Sequence, residues 1–128
     1  MMTLVRPRWL QVEELGSVTV VTFATRSILD EEAVDAARQQ LNGLVDHLGH
    51  YQILLDLSQV DRLTSLMIAG LIGLSKKVRA VGGRLVLCGV RPRMREVFEM
   101  LGLPRVIPIY PSPQEALQSF DALQEACV

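Results

Sequence analysis

Thr64 and Ser65 place two hydroxyls directly ahead of Leu66-Met67-Ile68-Ala69-Gly70-Leu71-Ile72-Gly73-Leu74, a run almost free of polar atoms. Two kinds of chemistry suit a serine in that place. Its side-chain oxygen can accept a hydrogen bond from an amide that a first helical turn leaves unpaired, which makes it an N-cap. It can also be phosphorylated, and the added group carries close to two negative charges. A helix N-terminus tolerates such a dianion, but a partner packed on a neutral, apolar surface must desolvate it. For an isolated serine, capping is the commoner explanation. Leu66, Met67 and Ile68, following at a strand-to-helix turn, shift the weight toward a contact surface under charge control. In open α/β sheets this end of the strands is where ligands and partners gather.

Other chemistries find less support. A serine nucleophile needs a base within reach and an oxyanion hole. Ser65 is not in a GxSxG elbow, and His47 and His50 fall at the end of a helix and in the loop beyond, where they read as surface residues. The stretch GLIGLSKK lacks the GxxxxGK[ST] spacing and lies inside a helix, so Gly70 and Gly73 are expected to let another backbone approach instead. Cys88 and Cys127 have neither a CxxC partner nor a histidine-rich neighbourhood, which argues against a metal and against a disulfide framework. Cys88, inside RLVLCGV, is expected to be a small buried residue. No cofactor motif is present, and the expectation is a protein that is not an enzyme.

Charge narrows the partners. With 13 Lys and Arg against 14 Asp and Glu, the formal net charge is −1, and no basic stripe exists to follow a phosphate backbone. Arg91, Arg93 and Arg95 form the one basic cluster and read as a solvated first helical turn. Direct nucleic-acid binding is therefore not expected. The segment MMTLVRPRWL has no long apolar core, and Leu66 to Leu74 is too short to cross a bilayer. Neither a signal peptide nor membrane insertion is expected, and the protein is expected to be cytoplasmic.

The elements that must position these residues are legible in outline. Trp9 to Glu14 and Val18 to Phe23 read as two antiparallel strands joined through Leu15-Gly16-Ser17. Asp30 is a plausible N-cap for a helix whose Ala33, Val34, Ala37, Leu41, Leu44, Val45 and Leu48 recur at helical spacing before Gly49. YQILLDL and RLVLCGV are continuous apolar runs, the pattern of strands buried on both faces. Between them a helix runs from about Ser65 to Val81, stopped by Gly82-Gly83. Pro92 opens a third helix with Val97, Phe98 and Leu101 facing inward. RVIPIY is an edge strand, because Pro108 cannot donate to a ladder. Ser112-Pro113-Gln114-Glu115 is a capping box for a last helix with Ala116, Phe120, Leu123 and Cys127 along one side. The expected fold is α/β: one domain over residues 1–128, with a core from about 9 to 120. It has about four helices and a mixed sheet whose opening hairpin is antiparallel and whose later strands are parallel.

The hairpin, ILDEEAVDAA, ILLDLSQVDRLTS, KKVRAVGGRLVLCGVRPRMREVFEMLGL and SPQEAL together resemble the STAS domain, in particular the bacterial anti-sigma factor antagonists. The resemblance runs from about Trp9 to Phe120. It implies a non-enzymatic binding module in a partner-switching pathway. A serine at the start of the second helix is phosphorylated there by an anti-sigma factor that is itself a serine kinase of the GHKL ATPase type, and a serine phosphatase reverses the step. By position Ser65 matches that serine, and Asp30 matches an acidic residue used near the same surface. Thr64, Leu66 and Met67 are implied around the contact. The family motif runs Asp, Ser, Ser or Thr, Gly; here the residues are Thr64, Ser65, Leu66 and Met67, so only the serine is shared. A second reading is a constitutive STAS subunit of a lipid-transport ABC system, unphosphorylated and bound to an ATPase subunit. The missing Asp and the apolar Leu66-Met67 favour it.

Overall fold

The computed structural model describes residues 9–46 and 48–126. Strands β1 (Leu10–Leu15) and β2 (Val18–Phe23) form the expected antiparallel hairpin, in register from Leu10↔Phe23 to Leu15↔Val18. Gly16 opens its two-residue turn at a φ of 62°, a left-handed conformation that a side chain would strain. The chain continues through β3 (Ser27–Ile28), α1 (Glu31–Asp46), β4 (Gln52–Asp56), β5 (Arg62–Leu63) and α2 (Ser65–Ala80). It ends with β6 (Arg84–Cys88), α3 (Pro92–Met100), a 3-10 turn (Leu103–Arg105), β7 (Ile109–Tyr110) and α4 (Pro113–Ala126).

The main sheet has the order β1-β2-β4-β6-β7, antiparallel between β1 and β2 and parallel from there on. Alternation along β4 and β6 sorts their side chains to two faces. Ile53, Leu55, Leu85 and Leu87 pack on one side, in one cluster with residues of α1, α2 and α3. Leu54, Val86 and Cys88 pack on the other with Ala116 and Phe120 of α4. Both strands are therefore buried on two faces, as their uninterrupted apolar runs predict. Burial, helped by the Asp56 charge, pushes the Cys88 thiol up to about 12, so it stays protonated and unreactive at neutral pH.

The helix ends follow local rules. Asp30 accepts from the Glu32 amide at 3.4 Å through Oδ1, and its carbonyl accepts from Val34. Ser112 Oγ accepts from the Glu115 amide at 3.3 Å, the first half of the expected capping box. After α2, Gly83 is required by space: a Cβ there would run into the Tyr51 carbonyl oxygen, which accepts from the Arg84 amide. This close approach lets α2 hand over directly to β6.

Several expectations are corrected. Val97 and Leu101 of α3 are exposed; Met94 and Phe98, four apart on one side of a short helix, are the inward pair. Leu48 lies past the end of α1 and is exposed. Of RVIPIY only Ile109 and Tyr110 pair, at the sheet edge beside β6, because Leu103–Arg105 winds into the 3-10 turn. Gly70 makes room for the Arg38 side chain of α1, with Nε 3.0 Å from where a Cβ would stand, and Gly73 meets nothing. His47, Cys127 and the side chain of Leu123 lie outside the described residues. Among the described residues no helix is long and apolar enough to cross a membrane.

Candidate functional site

Strands β3 and β5 form a separate parallel ladder, Ser27↔Arg62 and Ile28↔Leu63. Its effect is positional. Asp30 and Ser65 each lie two residues beyond the last pair, where one chain turns into α1 and the other into α2. The Thr64 amide donates to the Ile28 carbonyl at 3.3 Å, which carries the ladder one step further toward the helices. Two residues far apart in sequence are thereby delivered to one rim of the molecule.

The start of α2 resolves which hydroxyl does what. Thr64, with φ −75° and ψ 157°, is the N-cap, and its Oγ1 accepts from the Met67 amide at 3.1 Å. Capping, the common explanation for Ser65, is thus performed by its neighbour. Ser65 is the first helical residue; its side chain is exposed, and its hydroxyl has no hydrogen-bond partner among the described residues. No acidic residue stands in the first turn of α2, so nothing on the helix itself repels an anion at its N-terminus.

The apolar residues behind Ser65 divide between surface and core. Leu66 is 48% exposed, whereas Met67 is 0% exposed and belongs to the main core cluster. Met67, expected at the contact surface, is corrected to a core residue: the position that follows the cap by one turn points the side chain inward. Leu29, between the ladder and Asp30, is 50% exposed and joins Leu66 as an apolar element of the rim. Leu29 is silent in the sequence, because a single leucine before a helix carries no periodic signal. The basic cluster disperses. Arg91 bonds Asp61 at 3.0 Å and the Ser58 carbonyl at 2.9 Å, whereas Arg95 pairs with Glu99 along α3.

Residues 10–116 match the sequence profile of the STAS domain. The chain belongs to the STAS family. This STAS domain is 30% identical over 95 residues to "Putative anti-sigma factor antagonist BtrV" of Bordetella bronchiseptica, spanning 74% of this chain and 81% of that one. It is 25% identical over 114 residues to an anti-sigma F factor antagonist of Paenibacillus polymyxa, covering 89% and 97%. Its fold is that of the anti-sigma factor antagonist SpoIIAA in its unphosphorylated form, with a TM-score of 0.67 at 20% identity over 90% of this chain and 97% of the other. It is an STAS domain of the anti-sigma factor antagonist type.

At the opposite end of the STAS sheet, His50 departs from the surface role expected of it. Its ring lies 2.9 Å from Thr19 Oγ1 through Nδ1 and 3.1 Å from Glu14 through Nε2, with only 21% of the side chain exposed. Acid, imidazole and hydroxyl in series have the order of a catalytic triad. Thr19, however, is 2% exposed and cannot present its oxygen to a substrate. The series instead pins the hairpin to the entry of β4 and satisfies a buried hydroxyl.

Thr64→Ala removes the cap of α2 and is expected to lower stability by about 1 kcal/mol, whereas Thr64→Ser restores it. Chemical denaturation of the two variants checks this. An unchanged midpoint in Thr64→Ala would mean that another group takes the Met67 amide.

Proposed function

We propose that this STAS domain is a phosphorylation-controlled anti-sigma factor antagonist in a partner-switching pathway, with Ser65 as the phosphate acceptor. The supporting observation is the division of labour at the start of α2. Thr64 holds the cap, so the Ser65 hydroxyl stays outside, uncommitted, on a rim that also exposes Leu29, Leu66 and Asp30. An unmodified rim offers a partner apolar area with a neutral centre. A phosphate at Ser65 would rest against the helix's free amides, yet it would stand beside Asp30, Glu31 and Glu32 and block burial of the rim. The chain acts as a single non-enzymatic domain in the cytoplasm. Its partners are an anti-sigma factor that is a GHKL-type serine kinase and a serine phosphatase that resets the site.

The test is phosphosite mass spectrometry on the tagged protein recovered from its native cells, with co-purifying proteins identified in the same run. Phosphate on Ser65, together with a kinase enriched only by the unmodified form, is the expected result. A Ser65 that stays unmodified through growth and stress, with a transporter ATPase as the stable companion, would overturn the proposal in favour of a constitutive subunit.

A further inference from the structure

A cavity of about 500 Å³ opens between the end of α2, the start of β6, the 3-10 turn and α4. Arg79, Arg84 and Arg105 all line it, and among the described residues no aspartate or glutamate does. None of the three guanidinium groups forms an ion pair among the described residues, although five such pairs exist elsewhere on the surface. In a chain of net charge −1 this is a local concentration of uncompensated positive charge. Concave walls focus such a field and raise the local concentration of anions.

Ordinary structural roles account for part of the cluster. Arg79 sits in the last turn of α2, where a cation favours the helix dipole. Arg84 donates to Ser119 Oγ at 2.8 Å and to the Tyr110 hydroxyl at 2.9 Å, and its guanidinium lies over the rings of Tyr110 and Phe120. These bonds use two of its five N–H groups and fix its plane, leaving the rest to donate. Arg105, the last residue of the 3-10 turn, forms no side-chain hydrogen bond or ion pair among the described residues. A second observation is independent of charge. Ser75, on the buried side of α2, is 1% exposed and lines the cavity, which puts a hydroxyl in the wall beside the guanidinium groups.

We propose that this cavity binds a small phosphate ester, its phosphoryl oxygens held by Arg79, Arg84 and Arg105 and its organic part against Val106 and Phe120. Three guanidinium groups suit a dianion with several oxygens better than a lone carboxylate, because each offers paired N–H donors to the same group. The volume exceeds what a bare phosphate fills and lies within the range of small-ligand pockets, about 300–1,000 Å³. Arg79 lies fourteen residues along α2 from Ser65, roughly 20 Å at 1.5 Å per residue. The site is separate from the rim and does not depend on the function proposed for it.

Isothermal titration calorimetry on the full chain, in phosphate-free buffer at fixed ionic strength, tests the site with phenyl phosphate and inorganic phosphate. Phenyl phosphate is expected to bind saturably at one site and more tightly than inorganic phosphate. Arg79→Gln and Arg105→Gln, both at exposed positions, should each weaken it about tenfold, the loss of one charge-assisted contact. Arg93→Gln on α3 should bind as the parent does, and Ser75→Ala should weaken binding without lowering the melting temperature. Absence of saturable binding, or full binding by the Arg79→Gln/Arg105→Gln double variant, would overturn the proposal. Equal affinity for the two probes would overturn the assignment to an ester. Co-sedimentation with phosphatidylglycerol vesicles that requires Arg79 and Arg105, without binding of either free probe, would replace the small ligand by a lipid headgroup.

Discussion

Under the proposed function, Ser65→Asp is expected to weaken binding to the anti-sigma factor roughly a hundredfold, whereas Ser65→Ala binds as the parent does. The two variants isolate the charge. Ser65 is exposed at the first position of α2 and donates to nothing among the described residues, so removing its hydroxyl leaves the fold and the rim unchanged. A carboxylate at the same point has opposing effects. The amides of the first turn favour it by about 0.3–1 kcal/mol, which stabilises the free protein. A partner that packs on the rim exposing Leu29 and Leu66 must strip the same charge of water, at a cost of several kcal/mol per ion. Desolvation wins by a wide margin. Surface plasmon resonance with both variants reads the difference directly. Equal affinities would leave Ser65 as a bystander on an interface formed elsewhere.

What could be read from the sequence was what recurs. The hairpin, the long helices and the two strands buried on both faces repeat their signal over many residues, and each was placed within a residue or two of where it lies. Features built from one or two residues were not legible. The ladder of β3 and β5 has two pairs, too short for any alternation to emerge, yet it is what brings Asp30 to Ser65. The choice between Thr64 and Ser65 as cap is a one-residue question, and both side chains carry a suitable oxygen. Placement of Val97 and Leu101 failed for a related reason. A helix as short as α3 buries one row, Met94 and Phe98, and the sequence offers two apolar rows of similar strength. His50 looked like a loop residue because its partners Glu14 and Thr19 come from another part of the chain.

Adjacent residues Leu66 and Met67 should separate binding from stability. Met67→Ala is expected to cost 2–5 kcal/mol of folding free energy, about the range for deleting a buried methionine, and to lower the melting temperature by roughly 10 °C. Leu66→Ala should leave stability within about 0.5 kcal/mol of the parent, because nearly half of that side chain already faces water. Its effect appears at the partner: an apolar anchor beside Ser65 should be worth more than about 1 kcal/mol, or at least fivefold in affinity. Thermal melts and binding at a temperature where both variants are folded supply the two readouts. If Leu66→Ala bound normally while Met67→Ala lost the partner in a fully folded state, the exposed rim would not be the contact surface. The reverse pattern would tie partner binding to the one apolar residue of the pair that solvent can reach. It would also explain how a serine one residue before it can control that contact without disturbing the core.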